Sequence, residues 1–114
     1  MNSDRIQRLA GVAGLVGALL FFAGDMLFCG YFGSASSFAA GMLLTVRHAS
    51  VERLFIGGLL GPVAACLCLV GFWHVYQNVR PKAVVAGRIM LVAFVMLMIA
   101  GSAVHTLWAA KGLA

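Results

Sequence analysis

The chain has 114 residues, of which 63% are hydrophobic and 10% charged, with a net charge of +5. A water-soluble domain carries about 25% charged residues, so this composition excludes one that keeps its whole surface in water. The positive balance is thinly spread and forms no basic cluster of the kind that grips nucleic acid, which excludes that partner class.

The chain opens with MNSDRIQR, basic enough for the start of a secretory signal. The apolar stretch behind it is about twice the usual length of a signal core and contains Asp25, so it reads as a retained membrane span. This first span is expected over about 9–32. Asp25 lies in FFAGDMLFCG and is the only ionisable side chain between Leu9 and Phe28. Insertion scales make an aspartate at mid-span unfavourable by ~3 kcal/mol. On a helix, Ala18, Gly14 and Gly11 lie within roughly 40° of it. The carboxylate therefore shares a face with the smallest residues of the span and is expected to point at a neighbouring helix, away from lipid. Rows of small residues spaced by four let membrane helices approach closely. Ala10, Gly14 and Ala18 make one such row, Ala13 with Gly17 another.

The first loop, 33–50, contains SSFAAGMLLTVRHAS. Phe38, Met42, Leu43 and Val46 recur at helical spacing, which predicts a short helix lying in the membrane interface. Ser50 is the expected N-cap of the second span, with Glu52 in its first turn, where the helix dipole favours an anion.

The second span is expected over about 51–77. Gly57, Gly61 and Ala65 form its small-residue row, and Gly61-Pro62 predicts a kink, because proline removes one backbone donor and crowds the preceding turn. Cys66 and Cys68 fall roughly 200° apart around the helix, so they are read as packing residues, as is Cys29, and not as metal ligands. His74, in GFWHVYQNVR, neighbours Gln77 and Asn78 and reads as an interfacial, solvated histidine. VRPKA then places Pro81 in a turn.

The third span is expected over about 84–110. Gly101, Ser102 and His105 share one face of it. With three spans alternating in direction, Asp25 and His105 fall at matching depth, and an Asp25–His105 pair, with Ser102 beside it, is the expected polar centre. The carboxylate would take one imidazole nitrogen and leave the other for a ligand, proton or metal. Arg47, His48 and Arg53 are placed to close the same end. A metal would need Asp25, His105 and His48 together. No HExxH-type pair supports one, and neither a metal nor a cofactor is expected. There is no GxSxG elbow around Ser102 and no strand-borne phosphate loop.

Arg5, Arg8, Arg80, Lys82 and Arg88 lie at one end of the spans, against Arg47, Arg53 and Lys111 at the other. Lysine and arginine accumulate on the cytoplasmic side, so the expectation is a multi-pass protein of the cell inner membrane with a cytoplasmic N-terminus. Trp73 and Tyr76 would mark the inner interface, and Tyr31, Phe32 and Trp108 the outer one.

Three stretches, GDMLFCGYFG at 24–33, RLFIGGLLGPVAACLCLVGFWHVY at 53–76 and AVHTLWAA at 103–110, resemble an uncharacterised family of bacterial multi-pass membrane proteins. The resemblance implies a polytopic helical protein with Asp25, Gly61, Pro62 and His105 among its recurring positions. It also implies more than three spans in the full-length members, so that this chain corresponds to an N-terminal three-helix portion. It implies no activity. The overall expectation is all-α: one membrane domain over 1–114, a small bundle of three transmembrane helices. Its partners would be the lipid bilayer and either further copies of itself or a missing second half. The function expected is a ligand-binding or transport-type module. The alternatives are an intramembrane metal-dependent hydrolase acting on a lipid, built on His48, His105 and Asp25, and a structural or accessory subunit.

Overall fold

A computed structural model describes residues 3–30 and 37–113. The expectations for Tyr31 and Phe32, and for the side chains of Cys29, Phe38, Met42 and Val46, lie outside what it describes. Among the described residues there are four helices and no strands: α1 (Ser3–Cys29), α2 (Phe38–His48), α3 (Val51–Val79) and α4 (Val84–Leu113).

Three of these are long and apolar enough to cross a membrane: Asp4–Leu27, Val51–Val79 and Val84–Lys111. The first starts earlier than the expected Leu9, because Arg5 and Arg8 continue the helix instead of preceding it. The long axis of the molecule, 48 Å, exceeds the ~30 Å hydrocarbon thickness and matches the ~40–45 Å that includes the headgroups. Large apolar side chains such as Leu19, Phe22, Val85 and Leu107 are exposed all around the helices, as a surface solvated by acyl chains requires.

Glycine decides how the helices pack. Gly14 of α1 and Gly71 of α3 touch backbone to backbone; a Cβ added at Gly14 would come within 2.9 Å of Gly71 Cα. One added at Gly17 would meet the Ala64 carbonyl at 2.9 Å and Cys68 Sγ at 2.9 Å. Further along, Gly24 faces the carbonyl of Gly57. α1 and α3 are thus antiparallel and in contact along most of their length. On its other side α3 packs against α4, where Gly58 takes Ala109, Gly61 takes the ring of His105, and Phe72 stacks on Phe94 with centroids 4.0 Å apart. Among the described residues the central helix α3 accordingly carries more buried residues than any other helix, among them Leu54, Ala64, Ala65 and Tyr76.

The connections follow local rules. The Ser50 hydroxyl accepts from the Arg53 amide at 3.3 Å and starts α3, as expected. Ser37 does the same for α2 through the Ala40 amide at 3.2 Å. The α3–α4 turn around Pro81 is closed by the Lys82 and Ala83 amides, each donating to the Val79 carbonyl at 3.0 Å. α3 remains one continuous helix through Pro62. The short helix α2 lies against α1 with Gly41 and Thr45 buried, Thr45 returning its hydroxyl to the Gly41 carbonyl at 3.0 Å.

Candidate functional site

At the α2 end of the bundle, α1 finishes, α3 begins and α4 finishes. Here the structure brings Asp25 and His105 together: Nε2 of His105 is 3.2 Å from Oδ1 of Asp25. Asp25 sits about one turn from the end of α1 and His105 about two turns from the end of α4, so both lie near the same end of the bundle.

The two partners differ sharply in burial. The His105 side chain is 2% exposed and the Asp25 side chain 47%. The imidazole is enclosed by absent side chains. Gly61 lies directly against the ring, Gly24 approaches its Cε1, and Phe21 of α1 closes the remaining side edge-on, with ring centroids 4.9 Å apart. Gly101, one turn earlier on α4, makes room for the same Phe21 ring.

Two expectations are corrected here. The second imidazole nitrogen is not left for a ligand or metal, because Nδ1 lies 3.0 Å from the carbonyl of Gly57. The reason is the glycine row on α3, which lets the α4 ring reach the α3 backbone. The Asp25 carboxylate also does not face only a neighbouring helix. Oδ1 is held by His105, while about half of the side chain opens into a groove.

That groove runs over α3 between α1 and α4 and has a volume of about 580 Å³. Its walls are apolar, with Phe21 and Phe22 from α1, the stacked Phe72 and Phe94 below, and Met98 from α4; Asp25 lies at one end and His74 at the other. Gly11 and His74 also line an adjoining polar depression with Asp4, Gln7 and Arg8. His74 is partly exposed there, its carbonyl accepting from the Asn78 amide group at 2.8 Å. From Gly11 to Asp25 the groove follows roughly 21 Å of helix α1.

The other candidates separate. Arg53 reaches across from the first turn of α3 to the end of α1, where its guanidinium donates to the carbonyls of Leu27, Met26 and Gly30, the last two at 3.1 and 2.7 Å. These carbonyls lie at the end of α1, where the last turn runs short of amide donors, and a cation there also complements the helix dipole. Arg47 and His48 are exposed on the last turn of α2. Ser102 is half-buried, and its carbonyl accepts from the Thr106 hydroxyl at 2.8 Å; no bond from its own hydroxyl is found among the described residues. Cys66 is exposed while Cys68 lines the groove, opposite sides of α3 as their spacing predicts. Among the described residues, no three His, Cys, Asp or Glu side chains come together as a metal site would require.

Sequence reasoning passed over the groove-lining Phe21, Phe72 and Phe94. Phe72 directly follows Gly71, but Phe21 and Phe94 stand in apolar runs that composition alone does not distinguish from lipid-facing residues. A family model matches residues 1–112. The chain belongs to a family of unknown function, DUF6796. No curated protein matches it, and no solved structure does. Membership therefore carries no activity to this chain, and the chemistry of the site has to be argued from its own residues.

Proposed function

We propose that this chain is a membrane module that binds an amphipathic ligand in the groove between α1 and α4. The apolar part of the ligand lies along Phe22, Phe72 and Phe94, and a hydrogen-bond-donating head group, an amine or a hydroxyl, meets Asp25. One observation carries this reading: a half-exposed carboxylate opens into an otherwise apolar groove inside a membrane-spanning segment. Facing acyl chains, a carboxylate is unfavourable, by ~3 kcal/mol at the centre of a span and by less toward its end, where Asp25 lies; a donor head group offsets the cost, and lipid tails do not. The volume, about 580 Å³, falls within the ~300–1,000 Å³ of small-molecule sites.

In this reading the protein sits in the cell inner membrane with the N-terminus cytoplasmic, which puts Asp25 near the outer leaflet. A second copy, or further helices, would cover the open side of the groove and complete a transport-type bundle. The metal-hydrolase alternative loses its argument, because His48 is exposed on α2, His105 is enclosed with Nδ1 on the Gly57 carbonyl, and among the described residues the two do not gather with Asp25 as a metal site would require.

The test uses the protein in lipid nanodiscs and a photoactivatable long-chain alkylamine. Labelling should map to the groove, and dodecylamine should compete better than dodecanoate. Gly11→Leu should weaken labelling by filling the groove, since nothing lies within 4 Å of a Cβ at that position. Equal competition by amine and carboxylate, or labelling that ignores Gly11→Leu, would sink the proposal.

A further inference from the structure

We propose that the foot of α1 holds the head group of a phospholipid bearing a primary amine, with one acyl chain entering the groove past Gly11. Asp4, Arg8 and Gly11 fall within roughly 60° of one another around α1, on the face that leads toward Asp25. The second wall comes from α3. Gly14 and Gly71 touch backbone to backbone, and His74, about one turn beyond Gly71, is thereby brought against α1. Asp4, Gln7, Arg8, Gly11 and His74 line a depression of about 450 Å³. Gly11 and His74 also line the apolar groove, so the two spaces join. A Cβ at Gly11 would meet nothing within 4 Å, which leaves the passage open. Asp4 is the first residue of the span Asp4–Leu27. The polar depression therefore lies at head-group level and the groove at the level of the acyl chains.

The side chains select the head group. The Arg8 guanidinium, the Gln7 amide and the His74 imidazole each carry an N–H that can donate to phosphate oxygens. The Asp4 carboxylate only accepts, and a primary ammonium is the donor that matches it. Asp4 and Arg8 stand four residues apart, the spacing at which such side chains can pair along a helix. Among the described residues they form no ion pair with each other, so both charges are open to the two ends of one zwitterion. Because the two charges cancel, a head group with a net negative charge gains less here than a zwitterion does. A quaternary ammonium has no N–H for Asp4 and is held elsewhere by aromatic cages; among the described residues no Trp, Tyr or Phe lines the depression. The inference goes beyond the ligand reading, since it concerns the opposite end of the groove from Asp25 and needs no ligand there.

The test reconstitutes the full chain in nanodiscs of equimolar phosphatidylethanolamine, phosphatidylcholine and phosphatidylglycerol with identical acyl chains, and counts the lipids retained by native mass spectrometry. Phosphatidylethanolamine should be enriched roughly threefold over each of the others, a factor within reach of one exposed ion pair. Asp4→Asn should erase the preference over phosphatidylcholine, and Asp4→Glu should restore it. Arg8→Gln should lower retention of all three lipids, while Arg5→Gln, outside the depression, should not. Water-soluble phosphoethanolamine should fail to displace the bound lipid, because it lacks the chain that the groove holds. Preferential retention of phosphatidylglycerol, a preference that survives Asp4→Asn, an equal response to Arg5→Gln and Arg8→Gln, or displacement by phosphoethanolamine would each overturn the proposal. Loss of the preference in Asp25→Asn but not in Asp4→Asn would place the head group at the other end of the groove and overturn it too. No alkylamine is present, so the result does not depend on the labelling that tests the ligand reading.

Discussion

Among single residues, glycines determine the site more than the ionisable groups do. A Cβ at Gly61 would occupy the position of the His105 ring, whose Cβ and Nδ1 would each be only 2.5 Å away. Gly61→Ala should therefore expel the imidazole, destabilise the protein by about 1–3 kcal/mol as overpacking does, and break both the Asp25 and Gly57 contacts. Gly11→Ala is the control: nothing lies within 4 Å of its Cβ, and removing a helix-interior glycine should stabilise by about 0.5–1 kcal/mol. Denaturant unfolding in micelles, followed by the fluorescence of Trp73 and Trp108, would measure both changes. The Asp25–His105 contact was legible in the sequence because helix rise fixes depth, and depth left few possible partners. The Gly57 contact was not legible, because it depends on how far two helices approach and on which way each is rotated.

At the scale of the helix, Arg53 is a clasp between two ends. Its guanidinium sits where α1 runs out of amide donors, and Gly30 adds its own amide to the Met26 carbonyl at 3.1 Å. Arg53→Ala should cost about 1–3 kcal/mol, the range for hydrogen bonds involving a charged group, and should speed amide exchange at Gly30 more than at Gly71, far down α3. Arg53→Lys should restore only part of the protection, since an ammonium keeps the charge but not the planar fork. From sequence alone, Arg53 could be assigned to the correct end of the bundle. Its partners could not be named, because they are main-chain oxygens of a different helix. The Ser50 cap was visible, since a serine before an apolar run with an acidic residue in the first turn is a local signal. Pro62 was expected to kink α3. Pro62 lies inside α3, and the glycine beside it proves to be the seat of His105.

Taken as a whole molecule, the bundle fixes which segments share a side of the membrane. α1, α3 and α4 alternate in direction, so the N-terminus and the α3–α4 turn lie at one end, with α2 and the end of α4 at the other. Arg5, Arg8, Arg80, Lys82 and Arg88 mark the first end; Arg47, Arg53 and Lys111 mark the second. The structure sharpens this contrast, because Arg53 spends its guanidinium on α1 carbonyls and is held away from the headgroups. The bias of lysine and arginine toward the cytoplasm then predicts that the N-terminus faces inward. In a background where Cys29, Cys66 and Cys68 are replaced by serine, Lys82→Cys should react with a membrane-impermeant maleimide only after the membrane is opened. Arg47→Cys should react in intact cells. The reverse pattern would invert the orientation while leaving the helix pairing intact, and would move the Asp25 end of the groove to the cytoplasmic leaflet. Labelling of both positions from one side would contradict the alternation itself, and with it the matching depth that brings Asp25 to His105.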